Sequence, residues 1–122
     1  MEDINKIRYS DEELEEFRQL INTKIEKAQK QLEFYEIQIE ELTNGPDGRI
    51  KGLDDGIVTA ESEQIMQMVA RTKKHIKHLE TALVRIDNKV YGICRVTGKL
   101  ISKDRLRAVP HATLSMEAKQ NQ

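Results

Sequence analysis

Few side chains in this sequence have the type and spacing to do chemistry. Cys94 is the single cysteine, so no intramolecular disulfide can form. As a nucleophile it has no evident acid–base partner, and the neighbouring Arg95 would lower its thiol pKa only slightly. His75 and His78 stand three residues apart, a spacing at which two imidazoles on one helix can share a metal, but no third ligand is evident. There is no Gly-rich phosphate loop and no pair of carboxylates with a pocket to hold it, so the sequence points away from an enzyme. Two charged groups remain. Asp54-Asp55-Gly56 offers carboxylates that could perturb a metal-bound site or pair with a base, and the same residues are ordinary turn formers. Arg71, Lys73, Lys74, His75, Lys77 and His78 form either a solvated helix face or a cationic contact surface.

These groups need elements to carry them. Ser10-Asp11-Glu12-Glu13 is a helix start: the Ser10 hydroxyl can accept from the amide three residues on, and Glu13 can reach back to the Ser10 amide. Acidic residues in that first turn suit the helix dipole. Apolar positions then recur at Leu14, Phe17, Ile21, Ile25, Ala28, Leu32, Tyr35, Ile39 and Leu42, a heptad seam with one phase shift between Ile21 and Ile25. Thr43-Asn44-Gly45-Pro46 ends the helix. After a loop rich in Gly and Asp, Thr59 is the expected N-cap of a second helix. Its seam runs Ile65, Val69, Thr72, Ile76, Leu79, Leu83, Ile86, Val90. At about 1.5 Å per residue, each helix of some 32 residues would be about 48 Å long. Matched seams joined by one loop predict an antiparallel coiled-coil hairpin over residues 1–90, with a tip loop at 44–58. Two helices of a larger bundle are the alternative.

Residues 91–122 have a different texture. Tyr91-Gly92-Ile93-Cys94, the turn Thr97-Gly98 and Leu100-Ile101 predict a short β-hairpin. Pro110 precedes an expected last helix over about Ala112 to Lys119. So small a head must lean on the base of the hairpin, near Leu14, Phe17, Ile86 and Val90. The expected fold class is mainly α: a long helical hairpin plus a small C-terminal head of a β-hairpin and a short helix. Composition agrees, since 34% of the 122 residues are charged and only 4% aromatic. That suits helices that bury one narrow stripe and solvate the rest.

Charge is uneven along the chain. Residues 1–42 hold 12 acids and 6 bases, whereas residues 94–122 hold 2 acids and 6 bases. Lysines and arginines form no continuous stripe, so sequence-specific DNA binding is not expected. No apolar run approaches a membrane span, and Met1-Glu2-Asp3 does not begin a secretory signal; the expected location is the cytoplasm.

The motif Tyr91-Gly92-Ile93-Cys94, Thr97-Gly98, Ile101, Arg105-Leu106, Ala108, Pro110, Ala112-Thr113-Leu114 and Glu117 resembles the head of the DksA/TraR family. That family holds zinc with two C-x-x-C pairs seventeen residues apart, and the corresponding positions here are Cys94, Thr97, Ser115 and Ala118. One thiolate and neutral hydroxyls do not hold zinc, so the resemblance implies a zinc-less head and no other cofactor. Packing of Ile93, Leu100, Ile101, Leu106, Leu114 and Met116 is the candidate replacement. The resemblance further implies a transcription regulator whose coiled coil enters the secondary channel of RNA polymerase, its tip nearing the active site. The tip motif D-x-x-D-x-A falls on Lys51, Asp54 and Gly56, so Asp54, with Asp55 beside it, matches only the second Asp. Arg71 matches a family arginine on the coiled coil. The cations with which some relatives bind guanosine tetraphosphate correspond to His78, Val109 and Lys119. Only Lys119 is a cation at neutral pH, which counts against alarmone binding there, because phosphate needs several converging donors. A structural or adaptor hairpin for another protein partner remains the second reading.

Overall fold

The capping pair forms as its residues dictate. The Ser10 amide donates to Glu13 Oε1 at 2.9 Å, and the Glu13 amide donates to Ser10 Oγ at 3.1 Å. From it starts α1, Asp11–Asn44, with Asp11, Glu12 and Glu13 in its first turn. α2 spans Asp55–Asp87 and α3 spans Lys103–Ala108. This computed structural model describes residues 7–44, 55–115 and 119, with the backbone only at 43, 44 and 55–59.

α2 begins four residues ahead of Thr59. The helix opens at an acidic residue, Asp55, a residue type that suits a first turn and so favours the earlier start. The other end also differs from the seam as read. The Val90 amide donates to Arg85 O and the Lys89 amide to Ile86 O, both at 3.0 Å, while Lys89 takes φ 63°. This left-handed cap turns the chain out of the helix after Asp87, so Val90 is exposed and Ala82, rather than Leu83, is fully buried.

The chain divides into two compact units. In the first, residues 1–25 and 78–122, the start of α1 packs antiparallel with the end of α2. Its core is Tyr9, Leu14, Phe17, Ile21, Ile25, Leu79, Ala82, Ile86, Tyr91, Ile101 and Leu106. Arg18 reaches Asp87 at 2.8 Å along this pairing. In the second, residues 26–77, the remaining halves of α1 and α2 pair in the same antiparallel sense around Ala28, Leu42, Thr72 and Ile76, with Leu32, Tyr35, Ile39, Ile65 and Val69 half-buried. A buried Leu or Ile in such a seam contributes about 1.5–3 kcal/mol, so these stripes hold the helices together. No helix among the described residues is long and apolar enough to cross a membrane.

The expected β-hairpin does not exist: the described residues contain no strand, only an isolated antiparallel bridge between Ile93 and Leu100. Two bonds flank it, Cys94 N to Lys99 O at 2.8 Å and Ile101 N to Gly92 O at 2.7 Å. The ladder cannot lengthen because its other groups are spent elsewhere. The Thr97 amide goes to Cys94 Sγ, the Arg95 amide goes to Thr113 O, and Gly92 and Gly98 turn the chain at φ 80° and 73°. At the far side Ser102 caps α3, its Oγ accepting from the Arg105 amide at 3.2 Å. The expected terminal helix from Ala112 is likewise absent over 112–115. Thr113 O, Leu114 O and the Ser115 amide are committed to Arg95, the Arg105 guanidinium and Cys94 Sγ. The helix adjoining Pro110 lies before it, as α3; proline two residues beyond Ala108 is a helix stop.

Candidate functional site

The first unit builds its head on aromatic rings. Phe17 of α1 sits between Tyr9, at 5.8 Å between ring centroids, and Tyr91, at 5.3 Å, both tilted as aromatic pairs prefer. Tyr9 donates its hydroxyl to Ile101 O, and Tyr91 donates to Pro110 O at 2.8 Å. Burial raises both phenols above their ordinary pKa, so both remain protonated donors. A Cβ on Gly92 would stand 2.7 Å from the Tyr9 ring, so the left-handed turn there admits only glycine. Glu13 ties the start of α1 to α3: while Oε1 caps Ser10, Oε2 holds Lys103 Nζ at 2.6 Å.

Around Cys94 the structure brings together three of the four positions that the sequence singled out. The thiol is buried. Its Sγ accepts from the Thr97 amide at 3.4 Å and the Ser115 amide at 3.3 Å. Burial pushes the thiol pKa up, but the Thr97 hydroxyl and the amides of Ser115, Thr97 and Val96 outweigh it and bring it down to about 6. Amide donors thus stabilise a thiolate where a finger would use a metal. Ala118 lies outside the described residues. The donor set does not fit zinc: two hydroxyl side chains beside one sulfur leave no tetrahedron of S and N ligands, and among the described residues no group of three His, Cys, Asp or Glu could hold a metal. Packing of Ile101 and Leu106, both fully buried, with Ile93, Leu100 and Leu114 half-buried, stands in its place; Met116 lies outside the described residues.

The other candidates are dispersed. Asp54 lies outside the described residues. Asp55 opens α2, its side chain undescribed. Arg71 is exposed on α2, and Lys119 is exposed, its amide donating to Ser115 O at 2.9 Å. His78 does not use His75 as its partner; its ring stacks on His111 at 5.3 Å and 28°. Beside that stack lies a cavity of about 220 Å³ lined also by Thr81, Arg85, Tyr91 and Thr113. Arg85 and His111 escaped the sequence reading. The spacing His78, Ala82, Arg85 puts a cation on the same helix stripe as His78, a signal that was available; His111, across the fold, gave none.

Comparison with known proteins places residues 89–121 in the prokaryotic dksA/traR C4-type zinc finger family model. The chain is 39% identical over 57 residues to the uncharacterized protein YteA of Bacillus subtilis, 47% of this chain and 24% of that one. It is 28% identical over 89 residues to general stress protein 16O of the same organism, 73% of this chain and 53% of that one. It is 34% identical over 64 residues to the RNA polymerase-binding transcription factor DksA of Caulobacter vibrioides, 51% of this chain and 45% of that one. The chain therefore spans about half, or less, of the length of these relatives. The structure of transcription factor DksA2 from Pseudomonas aeruginosa has the same fold, with a TM-score of 0.84 at 24% identity over 99% of this chain and 89% of that one.

Proposed function

This chain is homologous to members of the DksA/TraR family and has one cysteine where a C4 finger needs four, and from that premise we infer that it is a non-enzymatic transcription regulator that binds RNA polymerase without zinc. The observation that carries this is the 64-residue similarity to a protein whose name states that it binds RNA polymerase. The shared fold supplies the two long helices that such a role uses. The protein acts in the cytoplasm, beside its partner.

In this reading the helical hairpin, residues 1–90, enters the secondary channel with the region 44–58 leading, and the head, residues 91–122, docks outside. Asp54 and Asp55 act near the active site, where limited water leaves a carboxylate's field weakly screened. Arg71 and Lys119 contact acidic polymerase surface, giving affinity and association rate. Capture of core RNA polymerase by the full chain, titrated alongside transcription in vitro, tests the reading. Asp54→Asn with Asp55→Asn should abolish the effect on transcription and leave binding nearly intact, whereas Arg71→Glu should weaken binding and slow association. Absence of polymerase capture overturns the reading and leaves the adaptor hairpin. A tip double variant that regulates like the parent reduces Asp54 and Asp55 to turn residues.

A further inference from the structure

We propose that the groove between α1 and α2 in the second unit, lined by Glu36, Ile39, Met66, Val69, Ala70 and Lys73, is a self-pairing surface that takes the same face of a second copy of this chain. The groove has a volume of about 370 Å³, and four apolar side chains lie in it between one carboxylate and one ammonium. Met66 is 56% exposed, and Ala70 is exposed as well. In the first unit the helix seam is sealed: Ile21 and Leu79 are fully buried where Tyr91, Ile101 and Leu106, from beyond α2, join the core. In the second unit the described residues are those of two helices alone, and Leu32, Tyr35, Ile39, Ile65 and Val69 remain half-buried. Two helices cover each other along one stripe and leave its flanks in water. An apolar flank of this kind marks a surface for another protein.

Charge identifies the occupant. Residues 26–44 of α1 hold five acids and two bases, whereas residues 60–77 of α2 hold two acids and four bases. Ile39 and Val69 both line the groove. In antiparallel helices Glu36, three residues back along α1, therefore stands level with Lys73, four residues on along α2. Both are exposed, and neither enters an ion pair among the described residues. Two such faces meet about a two-fold axis. With the axis along the helices, α1 of each copy lies on α2 of the other, neighbouring helices are all antiparallel, and Glu36 of each copy meets Lys73 of the other. With the axis across the helices, α1 would lie on α1, acid against acid. The charge pattern selects the first arrangement, an antiparallel four-helix bundle. A face about 27 Å long and about 20 Å wide, two helix diameters, buries roughly 1,000 Å² over both copies, the low end for a specific interface, so pairing is weak and set by concentration. Self-pairing is measured on the chain alone and stands apart from the polymerase reading.

The experiment follows the mass of the full chain by sedimentation from about 1 µM to about 1 mM, the range in which a small interface associates. The parent should pass from one chain to two and stop there. Glu36→Lys and Lys73→Glu should each weaken pairing at least about tenfold, since the two-fold axis makes every change count twice. Met66→Asp should weaken it as well, and Lys99→Gln, an exposed cation in the other unit, should not. All the altered positions are exposed, and circular dichroism checks that the helices persist. The decisive arm mixes the two charge variants. Each repels itself, yet together they restore both ion pairs, so the mixture should pair as the parent does. A single chain at every concentration overturns the proposal, and so does a mixture that stays unpaired. Pairing that Glu36→Lys, Lys73→Glu and Met66→Asp all leave intact also overturns it, because the interface then lies elsewhere.

Discussion

Cys94 is the residue where chemistry and folding meet. Its thiol, with an ordinary pKa of 9.0, is brought to about 6 in the fold by the Thr97 hydroxyl and three amides working against burial. The folded state therefore prefers the deprotonated form. Between these two values the folded chain carries a thiolate while the unfolded chain carries a thiol, so the unfolded chain binds more protons and stability rises with pH. The contribution is complete above the unfolded value and disappears as pH falls through about 6. We expect thermal stability measured from below pH 6 to above pH 9 to climb in the parent, with ultraviolet thiolate absorbance titrating in step, and expect both trends to vanish in Cys94→Ser. A thiol that titrates in the folded protein as free cysteine does would refute the hydrogen-bonded thiolate. Amide and hydroxyl donors thus hold a thiolate at Cys94, while the other three positions of the family's ligand set carry no thiol.

At the scale of elements, periodicity was the readable signal. The first seam, the Ser10–Glu13 cap and the stop at Asn44 all follow from residue types that act within one turn of each other. What escaped depended on partners distant in sequence. The bridge at Ile93 and Leu100 fails to grow into strands because Thr113 and Cys94 claim the amides that a ladder needs. α3 was hidden because its six residues are too few for periodicity, although Ser102 before Lys103 was a legible cap. Among the candidate site residues, the grouping of Cys94, Thr97 and Ser115 was visible only through the family motif, and the His78–His111 stack not at all. The second seam permits a direct test. Leu79 is wholly buried on α2 within the first unit, so Leu79→Asp should cost at least about 3 kcal/mol. Circular dichroism should show a large drop in melting temperature; an unchanged melt would mean that the stripe does not hold the helices.

For the whole molecule, the loss of three of four ligand positions moves the source of stability from a metal to packing. A structural zinc site supplies folding energy outright, and chelators unfold proteins that depend on it. Here the buried side chains of Tyr9, Phe17, Tyr91, Ile101 and Leu106 form the centre of the head. The purified protein should contain no stoichiometric zinc by elemental analysis, and its helicity and melting temperature should be the same with and without chelator. One zinc per chain, or unfolding in chelator, would refute this. The aromatic centre has a spectroscopic corollary. The chain has no tryptophan and three tyrosines, and two of the three are packed against one phenylalanine ring. Near-ultraviolet dichroism and tyrosine emission therefore report mainly on this cluster, with Tyr35 beside Phe34 as the remaining contributor, so an unlabelled sample already carries an optical probe for whether its head is assembled.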